Sequence, residues 1–403
     1  MKTRLSIMMF LQYMVPAFVL PIFSHYLKNH LAIDPFRVGV IMGTTGISAM
    51  VMPFFVAHVA DRVISAERLL GLFHLAAGLL MLTISRQTDF APILVLYFLY
   101  GLMLMPTFAL TNAVAFHHVT DAKRDFGGIR MWGPVSWVVG AWAFSLLWLG
   151  GASPSSASSG KLGDALTVCA GFSLLLAVYA LTLPRSGVKK ESVPAILSGQ
   201  TFRLFLRPSL LLLCGAALIN SMVHQFYYWG MAPFLHQVGV SDTYIMPVFT
   251  LGQMGEIVAL GLLGFFVHRF GVKKLLVIGV LAQVFRSVVF AIGWKPLVFP
   301  VIPVHGICYA FFFIVAYIYV ETHSTPETRS GAQQLFNIII MGMGDLGGKL
   351  IAGATAALFS STSPAGETLI DFQRFWLVSA AAALVVALAL LLFFREEAQT
   401  PKE

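Results

Sequence analysis

The sequence predicts an all-α polytopic membrane protein with twelve transmembrane helices in two six-helix halves. Hydrophobic residues make up 58% of the 403 residues and charged residues only 11%, whereas soluble domains carry about 25% charged residues. The mean hydropathy is +0.82. The apolar runs are continuous, as in AAAALVVALALLLFF near the C-terminus, and they lack the alternation of membrane β-barrel strands. A helical bundle in a bilayer is therefore the predicted class.

Twelve apolar runs are long enough to cross a bilayer, which takes about 20 residues of helix. The first run is too long for a secretory signal, and no small-residue cleavage site follows it. The longest charged segment separates the sixth run from the seventh, which predicts an N-terminal half at 1–184, a cytoplasmic linker at 185–208 and a C-terminal half at 209–403. The runs lie at residues 5–27, 38–60, 69–85, 91–115, 129–149, 165–184, 209–235, 244–267, 275–294, 297–320, 331–358 and 375–394.

Basic residues indicate how these helices are oriented. With the N-terminus in the cytoplasm, 17 of the 26 Lys and Arg residues lie in cytoplasmic segments and 6 in outside segments. Cytoplasmic loops of membrane proteins carry this excess of positive charge. The sequence therefore predicts a multi-pass protein of the cell inner (plasma) membrane with both termini in the cytoplasm. The net charge of +8 then needs no nucleic-acid partner to explain it.

An internal repeat relates the two halves. HVADRVISAERLL follows the second run and HRFGVKKLL follows the eighth, so basic residues recur at about half the chain length. Inverted or parallel repeats of this kind are typical of secondary transporters, whose binding site lies near the membrane midplane between the repeats. We expect the residues of these loops, Asp61, Arg62, Arg269 and Lys273, to act in gating.

Polar side chains are concentrated in the seventh and eighth runs, between Asn220 and Glu256. Gln225 and Tyr228 share one helical face, and so do Gln253 and Glu256. A lone membrane glutamine is explained equally well by a helix–helix hydrogen bond. Two glutamines and an acid on adjacent helices favour a binding site, because ionisable residues inside membranes usually face a cavity.

The chain resembles the major facilitator superfamily and, within it, the nucleoside:proton symporter family. The first resemblance is carried by the six-plus-six spans and by degenerate copies of the superfamily's loop motif at 57–62 and 264–274. The second is carried by blocks that span almost the whole chain in the family's order. These blocks are FLQY at 10–13, MPTFALTNAVAFHH at 105–118, GIRMWGPVSW at 128–137, GQMGE at 252–256, RFGVKK at 269–274 and YVETHSTPETRSGAQ at 319–333. A weaker resemblance, to phenylpropionate-type and oligosaccharide symporters, rests on the R-x-W-G element at 130–133.

The resemblance implies substrate-binding residues in both halves. Arg130 occupies the family's binding arginine, although position alone explains it equally well as a helix-end anchor. Pro134 stands where the family has a hydroxyl residue, while Trp137 keeps the aromatic ring that stacks on the base. Further substrate-binding candidates, with the amide and acid positions of the family among them, are Gln225, Tyr228, Gln253, Glu256, Asn112 and Tyr309, and Gln12 is a weaker one.

Proton coupling is the point at which the sequence departs from the family. Alignment through YVE at 319–321 puts Ala310 where the family carries an aspartate. Candidates that could carry the proton instead are His305, Glu256 and Asp345. For Asp345 we favour an intrahelical ion pair with Lys349, four residues later. If none of these titrates, the protein is a proton-independent facilitator.

Other function classes find no support in the sequence. No G-x-x-x-x-G-K-[ST] loop indicates a nucleotide-driven pump, and no HExxH motif or paired aspartates indicate an enzyme. The three cysteines lie in apolar runs without metal-ligand spacing, so we expect no metal and no cofactor. The sequence thus predicts a nucleoside:proton symporter, expected to be a monomer, that works by alternating access. A facilitator, or a symporter for a sugar or an aromatic acid, remains the alternative.

Overall fold

The computed structural model is almost entirely helical. It describes residues 1–62, 64–119, 122–150, 161–184, 199–325, 327–364 and 366–396, without the side chains of 56–62 and 122–124. The Ser/Gly-rich loop and most of the predicted linker lie outside this description. Eleven of the described helices are long and apolar enough to cross a membrane, and a shorter apolar helix, Asp164–Ala180, lies at the predicted sixth span.

We label these helices α1 to α12 in chain order. Each matches one predicted span, with ends that differ from the prediction by a few residues. The tenth span is the exception, because the expected run at 297–320 is divided into a short helix, Lys295–Val301, and a later membrane helix. The helices are α1 Lys2–His30, α2 Pro35–Arg62, α3 Ala66–Ile84, α4 Phe90–His118, α5 Asp125–Leu149, α6 Asp164–Ala180, α7 Pro208–Gln237, α8 Asp242–Phe270, α9 Val272–Ile292, α10 Val304–His323, α11 Arg329–Leu358 and α12 Phe372–Phe393.

Several of the long helices are irregular along their length. Four contain π-helical turns, at Tyr26–His30, Phe144–Leu149, Tyr309–Ile314 and Ile338–Gly344. Such turns insert an extra residue into the helix and are frequent at functional sites. The remaining regular elements are a short helix, Gly199–Phe205, and an antiparallel hairpin of β1 Ser360–Thr362 and β2 Thr368–Ile370.

The chain divides into two compact units. The first contains Met1–Val193 and Leu235–Thr250, and the second contains Pro194–Phe234 and Leu251–Glu403. The boundary after the first six helices falls within the predicted linker. The segment Leu235–Thr250 packs with the first unit, although it lies in the second half of the sequence.

In the first unit, α1 packs against α5 and α6, and α3 packs against α4 and α6. Its core is apolar, and buried side chains such as Met8, Phe73 and Leu176 contribute to it. Burial of this kind places the polar side chains of α1, α4 and α5 against one another rather than against lipid.

In the second unit, α9 packs against α10 and α12. Buried aromatic residues of α10, Phe311, Phe312 and Phe313, form much of its core. The three cysteines of the protein, Cys169 in the first unit and Cys214 and Cys308 in the second, are all free and buried.

Candidate functional site

An amide and acid group lies on α7 and α8 of the second unit. Gln225 is buried on α7, whereas Tyr228, one turn later, is partly exposed. Gln253 and Glu256 are partly exposed one turn apart on α8. Tyr228 lies close enough to Glu256 and to Tyr309 of α10 to be influenced electrostatically by both. Three neighbouring helices therefore present hydroxyl, amide and carboxylate groups, as the sequence predicted.

Glycines allow α8 and α10 to approach backbone to backbone beside this group. A β-carbon added at Gly255 would overlap the carbonyl group of Pro303, and one at Gly306 would overlap the backbone of Gly255. One turn earlier, a β-carbon at Gly252 would lie 3.1 Å from the hydroxyl oxygen of Tyr227 and 3.4 Å from Cβ of His305. The GQMGE block thus supplies close packing as well as Gln253 and Glu256.

A buried arginine lies behind the same helices. Arg286 of α9 is only 1% exposed, and its Nη1 atom lies 2.7 Å from Nδ1 of His305. Its Nη2 atom donates to Oε1 of Gln283 at 3.3 Å, and its guanidinium carbon lies 4.5 Å from the ring centroid of Tyr227. Sequence reasoning gave Arg286 no role. The signal was a cation inside an apolar run, but its contacts come from three separate helices.

His305 is an integral part of this cluster rather than an isolated titratable group. It is fully buried, and its Nδ1 atom accepts the hydrogen bond from Arg286 when the arginine is charged. The ring stacks on Tyr227 with a centroid distance of 4.5 Å and on His224 at 4.8 Å. These contacts hold His305 in place and occupy one of its two nitrogens.

In the first unit, Arg130 lies over an aromatic ring. Its guanidinium carbon is 4.2 Å from the centroid of Tyr13 on α1, a cation–π contact. Gly133 makes this approach possible, because a β-carbon there would lie 2.5 Å from Nη1 of Arg130 and 2.9 Å from the Tyr13 ring. The sequence placed Arg130 in a binding motif but gave no sign of its aromatic partner.

Two further candidates in the first unit carry polar atoms that make no hydrogen bond within the described part of the chain. These are the indole nitrogen of Trp137 on α5 and the side-chain oxygen of Asn112 on α4, both buried. Buried polar atoms normally have a partner, so both atoms are suited to bind a ligand. The structure does not bring Trp137 and Asn112 into a contact with each other that would use these atoms.

Gln12 has a structural position instead. Its nitrogen donates to the hydroxyl oxygen of Thr107 at 2.7 Å, and its oxygen lies 2.9 Å from Nε2 of His74. The other ring nitrogen of His74 lies 3.0 Å from the hydroxyl oxygen of Ser173. This buried network joins α1, α3, α4 and α6 and uses both ends of the Gln12 amide.

Asp345 and Lys349 form the ion pair expected from their spacing on α11. The closest oxygen–nitrogen distance is 2.8 Å, and the side chains are 14% and 6% exposed. A buried pair of this kind avoids placing two separate charges in lipid.

The predicted gating residues are only partly described. Asp61 and Arg62 lie at the end of α2, and their side chains are outside the described residues. Arg269 is exposed at the end of α8. The backbone nitrogen of Lys273 donates to Oε1 of Glu396 at 2.6 Å, which ties the start of α9 to the segment after α12.

Comparison with known proteins defines the family of this chain. The family model for the nucleoside H⁺ symporter matches residues 1–399. The chain belongs to this family.

Curated relatives agree with this assignment along nearly the whole chain. YegT of Escherichia coli (strain K12) is 31% identical over 98% of this chain and 95% of its own length. Xanthosine permease of the same strain is 29% identical over 97% of this chain and 94% of its own length. Membership in a family of permeases makes this protein a secondary transporter of nucleosides and not an enzyme.

The fold is that of major facilitator transporters. The crystal structure of the nucleoside transporter NupG superimposes with a TM-score of 0.87, covering 98% of this chain and 99% of that chain at 23% identity. The D-xylose–proton symporter superimposes with a TM-score of 0.73 at 10% identity. The predicted fold class and family are therefore confirmed.

Proposed function

We propose that this symporter carries nucleosides across the cell inner membrane together with protons, and that Glu256 serves both binding and coupling. The group on α7, α8 and α10 supports this proposal, because Glu256 lies beside Tyr228 and one turn from Gln253. Glutamine amides can donate to and accept from a base edge, and a carboxylate accepts hydrogen bonds from ribose hydroxyls. The remaining proposed ligands are Arg130, Trp137, Asn112, Gln225 and Tyr309.

The alternating-access cycle that we propose uses the predicted halves 1–184 and 209–403 with both termini in the cytoplasm. Arg130 and Trp137 supply a cation and an aromatic surface from the first half. Nucleosides are neutral and carry a flat base with hydroxyl groups, which suits this mixture of amide, acid and aromatic side chains better than it suits an aromatic acid. Glu256 would repel an anionic substrate.

Ala310 bears directly on coupling. It is fully buried among the aromatic residues of α10 and belongs to the apolar core. No titratable group can act at that position, so the proton has to be carried elsewhere. A carboxylate that contacts the substrate can couple the two events, because bound substrate and bound proton then change the same local charge.

The test is uptake of labelled uridine, adenosine and xanthosine into proteoliposomes, with and without an inward proton gradient. The wild type is expected to accumulate nucleoside only with the gradient. Glu256→Gln is expected to lose accumulation while keeping exchange of internal for external nucleoside, because the amide keeps hydrogen bonds but cannot titrate. Glu367→Gln, at an exposed loop position, is the matched control and should behave as the wild type.

Three outcomes would contradict parts of this proposal. Uptake that ignores the gradient would make the protein a facilitator. Loss of both accumulation and exchange in Glu256→Gln would restrict Glu256 to substrate binding. Normal accumulation in that variant would remove Glu256 from the mechanism.

A further inference from the structure

Three histidines surround one carboxylate in the first unit. Oδ1 of Asp242, the first residue of α8, lies 3.0 Å from Nε2 of His25 and 2.8 Å from Nδ1 of His236. Its other oxygen, Oδ2, lies 3.4 Å from Nε2 of His30. His25 and His30 are at the end of α1, and His25 is 217 residues from Asp242 in sequence. No sequence motif indicated that these residues meet.

The spacing of these atoms suits a metal ion. The ligand atoms of His25, His30 and Asp242 all lie within 4.8 Å of one another. Zinc–nitrogen and zinc–oxygen bonds are about 2.0–2.2 Å long, so neighbouring ligands on a zinc tetrahedron are about 3.3–3.5 Å apart. The distances of 3.0 and 3.4 Å to Asp242 are close to that edge. An ion would therefore fit after small movements of side chains.

One atom of the cluster points to a missing partner. Nε2 of His30 is buried and makes no hydrogen bond within the described part of the chain, although it faces the Asp242 carboxylate at 3.4 Å. A buried imidazole nitrogen without a hydrogen bond is uncommon. It is in the position that a metal ligand would take.

We propose that His25, His30 and Asp242 bind one divalent transition-metal ion of the zinc class. Two imidazoles and one carboxylate form a three-residue ligand set typical of zinc sites that keep a fourth position for water, and imidazole favours zinc, copper or nickel over magnesium or calcium. His236 holds the Asp242 carboxylate through its own hydrogen bond, as outer ligands do in metal sites. The ion joins the end of α1 to the segment Leu235–Thr250 within the first unit. This inference is independent of the transport proposal.

Metal binding can be measured without transport. Purified, metal-free protein in detergent is titrated with Zn²⁺ against a chromophoric chelator, and its melting temperature is recorded with and without the ion. We expect one ion per chain and a higher melting temperature with zinc, because a ligand that binds only the folded state stabilises it. Mg²⁺ and Ca²⁺ should have no effect at the same concentration.

Variants separate a metal site from a hydrogen-bonded cluster. His30→Gln should lower zinc affinity by at least about tenfold with little change in the melting temperature of the metal-free protein, since His30 makes no hydrogen bond. His236→Gln should weaken binding by roughly 10–100-fold, the usual effect of losing an outer-shell partner. His117→Gln, at an exposed position on α4, is the matched control and should bind zinc as the wild type does.

The proposal is wrong if the wild type binds no zinc, or if His30→Gln and the wild type bind it equally. Because both readouts use purified protein without substrate, a protein that fails to transport nucleosides could still pass this test. A protein that transports normally could likewise fail it.

Discussion

At the scale of single residues, the sequence located most candidate side chains but not their partners. Arg130 was expected to bind substrate, and the structure places it 4.2 Å from the Tyr13 ring. Tyr13 lies in the FLQY block, which we read only as a family marker. Contacts between residues about 117 positions apart depend on helix packing, which a single sequence does not specify.

Arg130→Lys tests whether the planar guanidinium matters. Lysine keeps the charge but loses the fork of donors and the flat surface that lies on Tyr13. A cation–π contact contributes about 0.5–2 kcal/mol, so the dissociation constant for uridine, measured by calorimetry on purified protein, should rise by roughly tenfold. Arg37→Lys is the control, because Arg37 lies 5.2 Å from the Phe90 ring on an exposed loop-side position. Equal binding by Arg130→Lys and the wild type would remove Arg130 from the site.

Asp345 and Lys349 make a second prediction at this scale. Asp345→Asn leaves a buried ammonium without its carboxylate, which should destabilise the protein by about 3–5 kcal/mol. Asp345→Asn combined with Lys349→Gln removes both charges and should recover most of that loss, as measured by thermal unfolding. Arg329→Gln breaks an exposed pair with Glu321, whose side chains are 48% and 42% exposed, and should change stability by less than about 1 kcal/mol.

The same double variant also reports on coupling. If Asp345 serves only in the ion pair, the double variant keeps gradient-driven uptake. Accumulation that no longer responds to the proton gradient would instead assign the proton to Asp345.

At the scale of helices, hydropathy predicted the membrane spans well because each span has to cover the same thickness of lipid. It failed at the tenth span, where Pro300 and Pro303 lie between the short helix and α10. Proline lacks the backbone N–H and disfavours a continuous helix, but an apolar run hides that break from a hydropathy count. The π-helical turns were equally invisible, because they change hydrogen bonding without changing composition.

Gly255→Ala tests the close contact of α8 and α10. The added methyl group overlaps the Pro303 carbonyl, so the two helices have to separate, which should cost about 1–3 kcal/mol. Gly261→Ala on the same helix meets no atom within 4 Å and should be neutral or slightly stabilising, since alanine is the better helix former. Melting temperatures of the two purified variants check the difference. Similar melting temperatures would mean that the contact adds no stability.

At the scale of the whole molecule, the two-unit division and the family were predictable because the repeat and the sequence blocks extend over the full chain. The histidine cluster around Asp242 was not predictable, because its members come from α1, α7 and α8. No local spacing relates them. The assignment of Leu235–Thr250 to the first unit likewise crosses the boundary that a division of the sequence into halves suggests.

Orientation in the membrane is a prediction at this scale. A fluorescent protein fused after residue 396 should fold and fluoresce in bacterial cells, because the excess of basic residues places both termini in the cytoplasm. The same protein inserted after Gly150, in the loop between α5 and α6, should not fluoresce after export. Alkaline phosphatase fusions at the two positions should give the opposite pattern. Fluorescence at Gly150 would invert the proposed topology.

The burial of all three cysteines has a practical consequence for studying movement. Thiol reagents react with accessible thiolates, so the native chain should remain largely unlabelled in its folded state. A cysteine introduced at an exposed position then becomes the site of attachment for a spin label or a fluorophore. Distances between two such labels can follow the transport cycle in a chain whose own sulfur atoms are left as they are.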